Sequence, residues 1–551
     1  MSLILFAAPS PSAGAAAAQA PSASAPAVRI DSCAPAWRVA RTPPAPPGTG
    51  GVLFSTAASS PNDAWAVGYT ETDGGLHTLL EHWDGSTWTT VPGGDPSPTD
   101  DTLAGVSART PDDVWAVGSD TVEGSPTDPL IEHWNGQVWR TVAAPRSDSD
   151  RRLLAVATSD SGAAWAVGLS GQPSDHVPLI LEWNGSGWRG AQAPRVGGGA
   201  LYDVTVVADD DVWAVGTVTG ADGTRTLAMH WNGSTWSVAR TPTPPDGASL
   251  SGVAMTSASD GWAVGRAGPD GAAGAFALRW DGRAWTEVPT GGLGLSGDAR
   301  FAKVAAVSSS DAWAVGGFLD QRTGRQLTLI EHWDGLRWRF VHGTGPQGTR
   351  DYLSDVTWVP GYGYWATGYS ATDHAPKPLT ERMCPATIGA SGIAPATTRS
   401  VLGETLTWRV GDAKAHGLAD ASGLRLFDPG PLQPDTAFTY LYPAAGTFSI
   451  VDPTTGNLAQ VMVAMRKHPL RLQRGTWQLS WGIGQPPRGK VYVVQIHRPT
   501  STHFEPWLTT SRPSAHFTPG GVGFWVFRAA LRDISSGAVS RWSPLKRVIV
   551  P

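Results

Sequence analysis

The stretch Pro111-Asp112-Asp113-Val114-Trp115-Ala116-Val117-Gly118 decides the fold, because its Trp-Ala-Val-Gly core, or a near copy, occurs seven times. The first Trp of each copy falls at Trp65, Trp115, Trp165, Trp213, Trp262, Trp313 and Trp365, giving intervals of 50, 50, 48, 49, 51 and 52 residues. Outward from the motif, Leu103–Ser107 reads as a strand before it, Pro129–Trp134 as one after it, and Val138–Val142 as a fourth. A period near 50 with four short apolar runs per unit is the mark of a β-propeller blade, which buries its faces only by stacking on neighbours.

An Asp-Gly or Asn-Gly pair joins the third and fourth runs at Asp84, Asn135, Asn184, Asn232, Asp281 and Asp334. A type I′ hairpin with positive φ at both residues is expected there. The seventh unit, from Tyr352 through Trp365 to Cys384, has no fourth strand. Ala36-Trp37-Arg38-Val39-Ala40-Arg41-Thr42-Pro43 matches Thr235-Trp236-Ser237-Val238-Ala239-Arg240-Thr241-Pro242, so the N-terminal segment is expected to supply the missing outer strand and close the ring. Cys33 and Cys384, the only cysteines, both align with the turn position of that interrupted hairpin. A disulfide there encloses about 350 residues and contributes about 5 kcal/mol in the chain-entropy model. It also calls for an oxidising compartment.

The chain has 551 residues, a formal net charge of -6 and no long basic run, which argues against nucleic acid as a partner. Its 66 Gly, 45 Pro and 27 Trp against 16% charged residues describe a turn-rich all-β protein. Residues 1–27 combine a short apolar start, Ser2–Ala8, with the low-complexity segment Ser12–Ala27. They read as a secretory signal lacking its basic n-region, placing the protein outside the cell or at its surface. No run of 18 apolar residues follows, so no membrane span is expected.

Repeated polar residues invite a metal site. However, His82, His133, His230 and His332 each belong to a different unit and cannot converge on one ion, so they read as structural. Asp63, Asp113, Asp211, Asp260 and Asp311, two residues before the motif Trp, read as turn caps. Variation is concentrated in the second-to-third strand loops and the blade connections, which open on one face. That face is the candidate binding surface, with Asp128, Asp175, His176, Arg322 and Arg325 as ligand contacts.

The turn Asp, Trp-Ala-Val-Gly and Asn-Gly-Ser-x-Trp elements resemble Asp-box-like and tectonin-type propellers, and more distantly kelch repeats, over Cys33 to Cys384. The resemblance implies a seven-bladed ring over 28–386, in a class that includes lectins, assembly factors, scaffolds and enzymes. A sialidase-type site needs an arginine cluster with a Tyr–Glu pair, which equivalent inner positions do not supply. A kelch-type oxidase needs a Tyr–Cys crosslink, and both cysteines are otherwise engaged.

Residues 387–467, with Glu404–Val410, His416, Gly446–Ile450 and Ala459–Val463, resemble a cupredoxin sandwich. In that family His416 would be the first copper ligand, but Asp452, Thr455 and Leu458 stand at the later ligand positions, so a type 1 copper site cannot form and no cofactor is expected. Residues 468–551 resemble a fibronectin type III module through Trp477–Trp481, Val491–Ile496, Phe524–Arg532 and Ser540–Pro544. A ladder of Arg528, Arg532 and Arg541 with Trp525 and Trp542 is expected there.

The combined reading is a secreted, non-catalytic binding or adhesion protein whose propeller face recognises a glycan, a cell-wall polymer or a protein. The alternative is an extracellular enzyme acting on polysaccharide. It requires two carboxylates about 5 to 10 Å apart at the propeller mouth.

Overall fold

The computed structural model describes residues 36–550 apart from 41–49, 95–99, 123, 173–174, 221–222, 270, 292–297, 322, 342, 344–349, 360–362, 372–375, 435, 466–469 and 473–475. The 1–27 segment, Cys33 and Arg322 lie outside the described residues. Those described are all-β, with no helix among them, and fall into four-stranded antiparallel sheets followed by two sandwiches.

The second sheet is typical, with strands Asp100–Thr110, Asp113–Thr121, Asp128–Trp134 and Trp139–Thr141 in sequence order. The repeat builds seven such four-strand units, or sheets, the first and second joined by one parallel bridge between Leu76 and Asp100. In the seventh, the outer strand is Arg38–Val39, paired as Arg38 with Arg382 and Val39 with Glu381. The first strand of each sheet packs against that of the next, and Arg350–Val359 of the seventh packs against Gly50–Ser60 of the first.

Tryptophan pins these interfaces. Trp65 of the first sheet packs between Trp134 and Trp139 of the second, both with ring centroids 5.0 Å away. The pattern repeats at every junction, ending with Trp365 of the seventh sheet, 5.2 Å from Trp83 and 5.3 Å from Trp88 of the first. Where Met383 replaces the third-strand Trp, Trp313 packs on Trp37 at 5.5 Å and on Tyr364. Each motif indole therefore completes the core of the next sheet, and such edge-on aromatic pairs contribute about 0.5–1.5 kcal/mol beyond their area.

Two details differ from the sequence expectation. The third-to-fourth connection is a four-residue loop, not a type I′ turn, since Trp134 pairs with Trp139. Only the Gly has positive φ, 88° at Gly136. The Asn135 Oδ1 instead accepts the N–H groups of Gln137 and Val138, an Asx-type arrangement repeated at Asp84, Asn184, Asn232, Asp281 and Asp334. Likewise, the Asp before the motif Trp is the partner of the third-strand His, not merely a turn cap. Asp63 meets His82 at 2.7 Å, Asp113 meets His133 at 2.7 Å and Asp211 meets His230 at 2.9 Å, each imidazole lying on its motif Trp. The fifth sheet substitutes Asp260–Arg279 at 2.9 Å. Where Ala163 or Gly363 removes the carboxylate, Glu182 or Arg382 replaces the His, so loss of the Asp goes with loss of the His.

A further third-strand position holds fully buried carboxyl groups at Glu81, Glu132, Glu331 and Glu381, where the third to fifth sheets have Leu181, Met229 and Leu278. Glu132 accepts the Gly94 N–H and Glu331 the Gly291 N–H, tying down the connection from the preceding sheet. Burial pushes Glu81 up to about 8.

After the ring, one sandwich pairs Gly392–Ala394, Ala386–Gly389, Thr405–Val410 and Ala437–Leu441 against Thr397–Val401, Leu458–Ala464, Gly446–Val451 and Ala419–Asp420. A second faces Leu470–Leu472, Thr476–Ser480 and Ser514–Phe517 with Glu505–Thr510, Lys490–His497, Gly523–Asp533 and Lys546–Val550. The two share one apolar core, which also takes in Ala36. The expected cation ladder is rearranged. Arg528 lies over Phe504 and Trp542, and Trp525 takes Arg498.

Arg409 of the first sandwich joins the ring through Asp311. The Asp311 carboxylate, fully buried, also receives His332 at 3.0 Å, the Trp313 indole N–H at 3.1 Å and the Tyr364 hydroxyl at 3.1 Å. Arg409 stacks 4.8 Å from Trp358. A second link joins Arg38 of the N-terminal strand to Glu404 at 3.0 Å.

Candidate functional site

Each first strand carries a bulge at the same place, at Phe54, Ala104, Leu154, Tyr202, Ser251, Ala302 and Ser354. A bulge re-aims the side chains beside it. The residues that follow are Ser55, Gly105, Ala155, Asp203, Gly252, Lys303 and Asp355, and the charged ones meet inside the ring.

Lys303 of the sixth sheet pairs with Asp203 of the fourth, reaching past the fifth. Gly252 permits the approach, because a Cβ there would stand 2.7 Å from the Lys303 Cα. Asp203 also accepts the Val253 N–H at 2.8 Å. Asp355 accepts the Ser55 hydroxyl at 2.7 Å, the Thr56 N–H at 2.9 Å and the Val356 N–H at 2.7 Å, and Ser55 in turn accepts the Val106 N–H at 3.2 Å. Burial pushes the Asp355 carboxyl up to about 6, against the pull of Lys303 and the Ser55 and Thr56 hydrogen bonds. The centre of the ring thus holds two carboxylates and an ammonium, each carboxylate committed to backbone N–H groups of the next sheet.

Above this cluster is a cavity of about 430 Å³. Its walls are the starts of first strands in the fourth to seventh sheets and the ends of second strands, so it opens toward the blade connections. Tyr202, Phe301 and Tyr352 provide aromatic surface, and Arg266 and Arg300 provide cations. Hydroxyl groups of Thr217, Thr219, Thr224, Ser249 and Ser251 complete the lining. The Arg300 guanidinium lies 5.1 Å over the Tyr352 ring, which stacks on Tyr369 at 5.9 Å. Burial raises the Tyr202 and Tyr352 phenols above their usual range.

Of the loop residues singled out from sequence, the four that are described, Asp128, Asp175, His176 and Arg325, do not line this cavity. Asp128 is exposed at the start of a third strand and pairs with buried Arg151 of the next sheet at 3.3 Å. Asp175 is exposed in the loop of the third sheet; the carbonyl of His176, beside it, accepts the Gly199 N–H. Arg325 is exposed at the start of the third strand of the sixth sheet, opposite Asp320. Asp128, Asp175 and His176 therefore sit on neighbouring sheets, and Arg325 lies across the ring. The mouth residues were missed because comparison was restricted to equivalent positions. Arg266 stands on a second strand and Arg300 on a first, and only the ring brings them together. Aligning the seven first strands at the bulge would have exposed Asp203, Lys303 and Asp355 among small residues.

In the first sandwich, His416 Nδ1 lies 2.7 Å from Asp452 and Nε2 lies 3.0 Å from Asp412. Thr455 donates to Asp452 at 2.8 Å, and Leu458 faces solvent. The Asp452 hydrogen bond raises the His416 imidazole above its ordinary value, and Asp452 is held far below the usual carboxylate range by its bonds to His416, Gly417 and Thr455 despite burial. The His416 imidazole is thus held between two carboxylates.

No family model and no curated protein matches the chain. Solved structures similar to parts of it include YCF48 bound to D1 peptide, at 14% identity and TM-score 0.42, covering 63% of this chain and 96% of that one. Sqt1 from Chaetomium thermophilum matches at 13% identity and TM-score 0.36, over 58% and 80% of the two chains. The extracellular domain of the putative one component system BT4673 from B. thetaiotaomicron matches at 7% identity and TM-score 0.33, over 91% and 97%.

Proposed function

We propose that this chain is a secreted, non-catalytic binding or adhesion protein. Its seven sheets are the blades of a closed propeller, and the face bearing the blade connections recognises a glycan, a cell-wall polymer or a protein. The cupredoxin-like and fibronectin type III-like sandwiches, 387–467 and 468–551, hold that ring as spacer or attachment. A Cys33–Cys384 bond latches it; no free cysteine is found among the described residues.

One observation carries the reading: the mouth cavity presents aromatic faces, cations and hydroxyls, whereas the carboxylates beneath it are already engaged. Hydrolysis of a glycosidic bond needs one carboxyl group to deliver a proton and another to attack or to activate water. Asp203 and Asp355 instead spend their oxygens on Lys303, Ser55 and backbone N–H groups. Asp128, Asp175, His176, Arg322 and Arg325 are the outer contacts on the same face.

Screening the full chain against glycans and cell-wall polymers tests the proposal. Replacing the five outer residues by Ala together is expected to weaken binding while moving stability by only about 0.5 kcal/mol per site. Binding that ignores these changes but is lost on substitution of the sandwich surfaces would place recognition in the wrong domain. Peptide mapping under non-reducing conditions tests the latch, which fails if both thiols alkylate in folded protein.

A further inference from the structure

We propose that the mouth cavity between the fourth and seventh sheets binds the carboxylate-bearing ring of an acidic saccharide, a uronate, and this rests on the propeller face being the binding surface. Three features of the lining select that chemistry together.

The first is charge. Arg266 and Arg300 line the cavity, and among the described residues no Asp or Glu does. Asp203, the channel carboxylate adjoining Tyr202 in the chain, is neutralised by Lys303. Asp298, whose charge reaches the Tyr352 phenol, stands outside the lining. A guanidinium is planar and binds a carboxylate through two parallel N–H donors, so an anionic group is the natural occupant.

The second is surface. Tyr202 and Tyr352 are partly exposed where they line the cavity, and the exposed Arg300 stacks its guanidinium over the Tyr352 ring. An aromatic ring can cover the apolar C–H face of a pyranose while its hydroxyl bonds the sugar edge. The third is the hydroxyl belt, with Thr219 and Ser249 among it, which both donates and accepts as a polyol requires. A cavity of about 430 Å³ is at the small end of ligand sites and accommodates one or two sugar rings, not a folded partner.

A peptide with a free C-terminal carboxylate would satisfy the arginines but not the belt of hydroxyls, and polyphosphate would satisfy charge alone. Titration calorimetry of the full chain separates these, using oligogalacturonate, its methyl-esterified form, a cello-oligosaccharide, polyphosphate and such a peptide. Oligogalacturonate is expected to bind, with Kd rising as salt is added. Methyl esterification, or Arg300→Gln with the free acid, is expected to weaken binding about tenfold to a hundredfold. Tyr352→Ala is expected to weaken the free acid and the ester alike, as a stacking surface should, and thermal melts of each variant check folding.

Equal affinity for acid and ester, preference for polyphosphate or peptide, unchanged binding in Arg300→Gln, or no oligogalacturonate binding at millimolar concentration each overturns the inference. A neutral glycan that binds and is lost with the outer loop substitutions would leave the proposed function standing and remove this one alone.

Discussion

Asp113 and Asp311 stand at the same position of the same repeat, and each meets the His of its third strand, yet they are in different physical situations. Asp113 and His133 have side chains 18% and 29% exposed, whereas Asp311 and His332 are 0% exposed. The second sheet leaves its pair at the rim, where water screens it. The sixth has the first sandwich laid over the pair, and Arg409 and Tyr364 converge on the spare oxygen of Asp311. A repeat therefore supplies a side chain in a fixed place, and what covers it determines its energetic weight.

The largest expected effect breaks that contrast directly. Asp311→Ala removes the buried carboxylate that Arg409, His332, Trp313 and Tyr364 share and should cost about 3–5 kcal/mol, measured by denaturant unfolding. A cost under 1 kcal/mol would mean that the covering does not matter. The second buried His–Asp pair sharpens the comparison, since Asp452→Ala leaves His416 Nδ1 buried without its carboxylate while Nε2 keeps Asp412, and should cost about 2–3 kcal/mol near pH 6.

Its pH signature has a definite sign. His416 has a raised folded value, so its contribution is full below the ordinary imidazole value of about 6.5 and is lost as pH climbs through the folded one. Asp452 is depressed, so its share is present above about 4 and disappears as pH falls through the lowered value. Stability measured against pH should lose the alkaline part of this slope in His416→Gln. An unchanged curve would show that the imidazole does not carry the charge.

A smaller effect of the opposite sign is expected at Glu81, whose counterparts in three sheets are Leu181, Met229 and Leu278. Its carboxyl titrates near 8 in the fold, so the folded state holds the proton more tightly and stability declines as pH rises from about 4.5 to about 8. Glu81→Gln should flatten that decline and raise stability at pH 7 by about 1–3 kcal/mol. Destabilisation by this change would assign the Glu a bond that the amide cannot make. At the bottom of the scale, Asp113→Ala should cost under about 1 kcal/mol and lose most of that in high salt.

Much of the ring was legible because its signals are local and repeated. The Trp-Ala-Val-Gly spacing fixed the sheets, and the match of Trp37 to Trp236 identified the outer strand of the seventh. The turn residues were read correctly as turns but assigned the wrong geometry, since an Asx bond and an ordinary φ at Asn or Asp compete with type I′ and win. The His and Asp positions were read separately, although their joint disappearance at Ala163 and Gly363 was in the sequence. The channel and its mouth were not legible. Lys303 and Asp203 are 100 positions apart and meet only because the ring folds them toward one axis. Arg409 reaches Asp311 from another domain, and nothing in the repeat foretells a partner outside it.

The two-residue strand Arg38–Val39 has a mechanical meaning. Among the described residues it is the part of the seventh sheet drawn from the other end of the chain, its rungs being to Arg382 and Glu381, followed by the Ala40 N–H bond to the Thr380 carbonyl. Tension along the N-terminal segment would fall on those rungs before reaching any longer strand, making this seam the fuse of the molecule. Ala36 is embedded in the sandwich core and Arg38 is tied to Glu404, so the load passes into the neighbouring domain instead of peeling the ring open. The sandwich then works as a strain relief, and a tether attached at the N-terminus could be pulled hard without unwinding the blades.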